Sequence, residues 1–244
     1  MIRSILTKAF TLTALVAGLV LLPSAKAEAA FTAYICSVQN CSGGTVKFAD
    51  DNSAADADPT PGAITLVGGS VGGMNVTVNT SQSHPALVQP GMDLTFTAST
   101  NTGSPNGDVW FYATDNNFSV IAPLIASISA TFLQGGSGTV EAFVYGGVNN
   151  NPGQTSPLLG TSGVLSGSNG STVGTTFAAG FPLVSPYSYT LGLHIIRTGA
   201  GSTTGNFGVS GTPIPEPATL SLLGLGLTGI GAAVRRRRKA RQNA

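Results

Sequence analysis

Tyr187-Ser188-Tyr189-Thr190-Leu191-Gly192-Leu193-His194-Ile195-Ile196-Arg197 is the clearest stretch of regular structure in the chain. Successive side chains of a β-strand point to opposite faces. Tyr187, Tyr189, Leu191, Leu193 and Ile195 therefore fall on one side, and Ser188, Thr190, Gly192, His194 and Ile196 on the other. The first set is large and apolar, which is the pattern of a strand with one face in a core. Leu124–Phe132 repeats it, with Leu124, Ala126, Ile128, Ala130 and Phe132 on one face.

Working outward, short β-favouring runs alternate with turn clusters along the whole body. The runs are Phe31–Ile35, Thr45–Phe48, Ala63–Val67, Met74–Asn79, Leu94–Thr100, Asp108–Ala113, Ile125–Leu133, Val140–Tyr145, Val173–Ala178, Tyr187–Arg197 and Asn206–Val209. Between them stand Asn106-Gly107, Gly135-Gly136, Gly146-Gly147 with Asn149–Asn151, and Asn169-Gly170, all strong turn signals. No internal repeat is visible, and helical periodicity is almost absent. The expected fold is all-β, a single jelly-roll-like β-sandwich of 8 to 11 strands over about 185 residues, 28–212.

Both ends of the chain lie outside that body. Residues 1–27 have the parts of a secretory signal peptide: Arg3 and Lys8, the uncharged apolar stretch Ala9–Leu22, and the small-x-small site Ala25-Lys26-Ala27. Cleavage is expected after Ala27, with Ala27-Glu28-Ala29 as a second possible site, so the partners are the Sec translocon and signal peptidase. At the other end Pro213, Pro215 and Pro217 fix φ and keep the chain extended, and Pro217 suits the first position of a helix. The uncharged run 218–234 would rise about 25 Å as a helix, enough to cross a hydrocarbon core at the short end of the range. Arg235, Arg236, Arg237, Arg238, Lys239 and Arg241 then form a basic stop that stays cytoplasmic by the positive-inside rule.

Pro215-Glu216-Pro217, the Gly/Leu-rich run Leu222–Leu227 and the terminal Arg cluster together resemble a PEP-CTERM sorting signal over residues 213–244. The resemblance implies an exported protein of a Gram-negative bacterium that makes exopolysaccharide. It implies that Pro215, Glu216 and Pro217 are recognised by exosortase, a membrane-embedded transpeptidase-like protease that removes the tail. The protein would be anchored transiently in the inner membrane before reaching the cell surface or extracellular matrix. Family members differ widely in their bodies, so the resemblance implies a destination and no activity.

The whole chain is formally +1. Nine of its eleven cations sit in the two targeting segments, leaving Lys47 and Arg197 in the body against nine acids, a formal charge of −7. Such a body cannot form the basic patch that nucleic-acid binding requires.

Candidate chemistry in the body is sparse. Cys36 and Cys41, the only cysteines, are expected to form a local disulfide in the exported compartment. Asp50, Asn52, Asp56 and Asp58 offer the hard oxygen ligands of a calcium site, without EF-hand spacing, so a solvated acidic loop is the preferred reading of the stretch. Gly68-Gly69-Ser70-Val71-Gly72 satisfies the Gly-x-Ser-x-Gly pattern but links two strands, where a nucleophile elbow needs a strand and then a helix. His84 and His194 are expected to be solvated or hydrogen-bonded. Trp110 and Tyr112 share one face of a strand and could stack on sugar rings, with Phe111 on the other face. The expected function is a non-enzymatic surface or matrix protein associated with exopolysaccharide; the alternatives are a lectin-like carbohydrate-binding module and, third, a secreted hydrolase.

Overall fold

A computed structural model of the protein describes residues 31–211 apart from 43–45, 51–52, 67, 85, 88–89, 101–102, 104, 121, 148–152, 154 and 181–184. The signal segment 1–27, the tail 213–244, Asp51 and Asn52 lie outside the described residues, as does the side chain of Asp50. Fourteen strands are described in chain order: β1 Thr32–Cys36, β2 Val46–Asp50, β3 Ala63–Leu66, β4 Ser70–Val71, β5 Met74–Gln82, β6 Gly91–Thr100 and β7 Asn106–Phe118, then β8 Leu124–Leu133, β9 Ser137–Gly147, β10 Leu158–Thr161, β11 Leu165–Ser168, β12 Thr172–Ala179, β13 Tyr187–Thr198 and β14 Gly201–Gly211. The described helical structure is one 3-10 turn, Gln39–Cys41.

The strands form two antiparallel sheets packed face to face. The first has the order β10-β9-β13-β7-β1-β2, with β11 also on β9; the second has β12-β8-β14-β6-β5-β3, with β4 also on β5. The strand from which the fold was read, β13, is central in the first sheet, between β9 and β7. Its apolar face lies in the core as the alternation requires: Tyr187, Leu191, Leu193 and Ile195 are fully buried and Tyr189 nearly so. The core-facing residues of β8 meet it from the second sheet, Phe132 among them. Replacing a fully buried phenylalanine of this kind by alanine costs about 3–5 kcal/mol.

Sequence reading and structure differ in the short strands. β4, β10 and β11 are two to four residues long, and Gly160 and Gly167 break the β-favouring pattern of the last two. They exist because long neighbours, β5 and β9, present backbone groups to pair with.

Buried polar groups tie the two sheets together at both ends of the sandwich. Where β8 turns into β9 and β13 into β14, the chain passes from one sheet to the other, and Arg197 sits between the two turns. Its guanidinium donates to the carbonyls of Ser202 (2.8 Å) and Gly135 (2.6 Å) and to Thr203 Oγ1 (3.0 Å), and it lies 5.6 Å from the centre of the Phe132 ring. No carboxylate shares this site among the described residues, and burial lowers the Arg197 pKa. At the opposite end His84, which follows β5, places Nδ1 2.9 Å from Oδ2 of the fully buried Asp115 on β7, tying the second sheet to the first.

The two outer faces differ in kind. That of the second sheet is a ladder of small polar groups, with Thr131 and Thr172 hydroxyls 3.0 Å apart and Thr97 and Thr204 3.3 Å apart. Asn206 Nδ2 donates to both oxygens of Asp93 on the same face. The outer face of the first sheet is aromatic, and the side of β13 carrying Ser188 and Thr190 is buried as well.

Candidate functional site

The aromatic face is built by register. On β7, Trp110 pairs with Cys36 of β1 and His194 of β13, and His194 with Glu141 of β9. One row along, Tyr112 pairs with Tyr34 and Gly192, and Gly192 with Phe143. In the third row Thr114 pairs with Thr190, which pairs with Tyr145. The bare backbone of Gly192 is what lets the rings close: a Cβ there would stand 3.0 Å from the Tyr145 ring and 3.1 Å from that of Tyr112.

Trp110 and Tyr112 share this face, while Phe111 is in the core, as alternation requires. Their rings are stacked 6.0 Å apart at 7°, and Trp110 also stacks on Phe143 (5.6 Å) and His194 (4.0 Å). Trp110 is 8% and Tyr112 3% exposed. Most of the surface of both rings is therefore taken up by neighbours within the protein.

The disulfide loop covers part of this face. Cys36 and Cys41 are bonded, with Cα atoms 5.3 Å apart, and the loop they close carries Gln39 and Asn40. Asn40 N–H donates to the Tyr112 hydroxyl at 3.0 Å, and the Gln39 side chain hydrogen-bonds Tyr145. Burial pushes the Tyr112 phenol up to about 12, against the smaller opposing effect of the Asn40 bond, and burial likewise raises Tyr145. Beside the loop lies a half-enclosed pocket of about 270 Å³ lined by Tyr34, Asn40, Cys41, Tyr112, Gly153, Thr155 and Thr190. Thr114 braces its floor, its hydroxyl 2.9 Å from that of Thr190 and accepting from Gly153 N–H.

Other singled-out residues are held in structural bonds. His194 Nε2 is 2.8 Å from Asp108 Oδ1, as His84 is paired with Asp115. Ser70 lies exposed on β4, paired with Asn75, and the next element is β5. The glycines of its pattern serve close backbone approach, since a Cβ on Gly68 would stand 1.8 Å from Val76 O and one on Gly72 1.8 Å from Asp108 O. Asp56 Oδ1 accepts from Asp58 N–H and Thr65 N–H, both at 2.9 Å, and Asp58 Oδ1 from Thr60 N–H. Among the described residues no three His, Cys, Asp or Glu gather as a metal site. Glu141 accepts from Thr161. Asp93 lies on the outer face opposite to Asp108 and Glu141.

Tyr34, Asn40, Thr155 and Thr190, which with Tyr112 form most of the pocket, were not singled out from sequence. One signal for the face was available. β1, β7 and β9 each carry aromatic residues on the face turned away from the core: Tyr34; Trp110 and Tyr112; Phe143 and Tyr145. Strands that are apolar on both sides are covered on both sides.

Residues 213–238 match the family model of the PEP-CTERM protein-sorting motif. The chain thus carries that motif, which implies export and exosortase processing at the cell envelope. The described residues contain no helix long and apolar enough to cross a membrane, and 218–234 lies outside them. No curated protein matches the chain in sequence. Solved structures with a similar fold include TmCBM61 in complex with β-1,4-galactotriose, at 3% identity and a TM-score of 0.33 over 57% of this chain and 83% of that one. The CBM22-1 xylan-binding domain of Paenibacillus barcinonensis Xyn10C has 11% identity and a TM-score of 0.34 over 64% and 88%. TmCBM27, a carbohydrate-binding module that recognises mannan, has 11% identity and 0.31 over 62% and 81%.

Proposed function

We propose that this protein is a non-enzymatic surface or matrix protein, exported through the Sec translocon, cut by signal peptidase after Ala27 and freed from the inner membrane by exosortase. What remains is a jelly-roll-like sandwich, residues 28 to about 214, residing in the exopolysaccharide layer. The observation that carries this reading is the sorting motif at 213–238, which begins two residues beyond the end of β14 at Gly211. The body is thus joined to its address without a further described domain between them. The non-enzymatic part is supported by the described carboxylates and imidazoles, each tied to a backbone N–H, an amide, a hydroxyl or each other.

Recognition is assigned to Pro215, Glu216 and Pro217, with 218–234 as the membrane helix and the Arg235–Arg241 cluster as the cytoplasmic stop. Glu216→Ala is expected to leave a full-length, envelope-retained protein, visible as a mass shift on immunoblots of cell fractions. A Glu216→Ala protein processed and distributed like wild type would show that exosortase does not read this motif.

A further inference from the structure

The pocket beside the disulfide loop has a chemistry of its own. None of its described lining residues is charged. These residues offer nothing to pair an anionic ligand, and Arg197, the described cation of the body, is buried and committed to carbonyls at one end of the sandwich. What lines it are hydroxyls, from Tyr34, Tyr112, Thr155 and Thr190, and the Asn40 amide. Hydroxyls and amides both donate and accept hydrogen bonds. A purely apolar occupant would displace water from the Asn40 amide and the Thr155 hydroxyl without replacing its hydrogen bonds, at a cost in affinity, whereas a ring bearing several hydroxyls answers them in both senses.

Tyr34, half-buried beside Tyr112 in the β1–β7 pairing, supplies aromatic surface for the C–H face of such a ring, and the buried Tyr112 ring backs it. Tyrosine gives rigid amphipathic contact with little conformational freedom to lose. The size sets a limit too: about 270 Å³ lies just below the roughly 300–1,000 Å³ of small-molecule sites, room for one ring.

The walls are also fixed in advance. Tyr112 is held by Asn40 N–H, Thr190 by Thr114, and Asn40 itself by the Cys36–Cys41 link, at φ 58. Preorganised groups lose little on binding.

We propose that this pocket binds a single neutral sugar residue of a polysaccharide, its ring against Tyr34 and its hydroxyls on Asn40 and Thr155, with Tyr112 and Thr190 as the buried floor. The disulfide keeps the site assembled, because the loop it closes carries one wall and the donor that orients Tyr112. A ligand of this size in a half-open pocket binds with a dissociation constant on the order of millimolar, and the strength of attachment to a matrix comes from many copies.

The test is saturation-transfer NMR on the processed protein purified from its host, with glucose, galactose and mannose as neutral probes and glucuronic acid as the charged one. At least one neutral sugar should bind in the millimolar range, and glucuronic acid about tenfold more weakly or not at all. Tyr34→Ala, Asn40→Gly and the double variant Cys36→Ala/Cys41→Ala should each weaken binding by about tenfold or more, while Tyr34→Phe keeps most of it. Asn40 is exposed with positive φ, so glycine fits there without strain and its effect reports the lost amide even if Tyr34→Ala fails to fold. Binding by none of the neutral sugars, equal binding of glucuronic acid, or binding untouched in Asn40→Gly and Tyr34→Ala would overturn the proposal. Loss confined to Trp110→Ala would also overturn it, by placing the sugar elsewhere on the aromatic face.

Discussion

Arg197 shows how a single residue can be decided by position rather than type. It is one of two cations in the body, and a cation on an exported acidic protein is most simply read as surface. In the fold it is 1% exposed, and its two terminal nitrogens donate to the carbonyls of Ser202 and Gly135 and to the Thr203 hydroxyl, joining the start of β14 to the β8–β9 turn. The planar guanidinium reaches these acceptors as a fork, which a lysine ammonium cannot copy. Arg197→Lys is expected to lower the unfolding free energy by about 2–3 kcal/mol in urea titration, since hydrogen bonds from a charged donor contribute about 1.5–3 kcal/mol each and lysine keeps only part of them. A change below about 0.5 kcal/mol would mean the turns do not need the fork.

At the scale of the element, buried tyrosines on both faces of the first sheet make stability depend on alkaline pH. Burial raises the pKa of Tyr112 to about 12 and raises those of Tyr145, Tyr187 and Tyr189 as well. An unfolded tyrosine ionises near 10. A raised folded pKa means the unfolded chain releases its protons first, so this contribution is full below pH 10 and is lost as pH climbs from about 10 towards 12. Melting temperature should fall over that window, with phenolate absorbance rising together with unfolding rather than before it. Ionisation complete near pH 10 with the fold intact would contradict the burial. The alternation that reveals β13 and β8 was legible in the sequence because each buries one face against the other sheet. The register that sets Tyr112 beside Tyr34 and Gly192 was not, because pairing between strands leaves no local mark. The strands β4, β10 and β11 were missed for a related reason: their pairing comes from β5 and β9, and their own residues carry little pattern.

For the whole molecule, the targeting ends and the body are read by different physics. At the C-terminus charge, apolar length, proline position and the Pro215-Glu216-Pro217 motif are the signal, and the family match at 213–238 bears out the resemblance to a sorting signal. The body is legible as an all-β sandwich, but its pocket is lined by residues up to 156 positions apart, from Tyr34 to Thr190. The most direct measurement is the intact mass of the mature protein from its native host. The account predicts a chain beginning at Glu28, two hydrogen masses lighter at Cys36 and Cys41, and lacking the run 218–244. A mature protein that still carries the basic cluster at Arg235–Arg241 would contradict it.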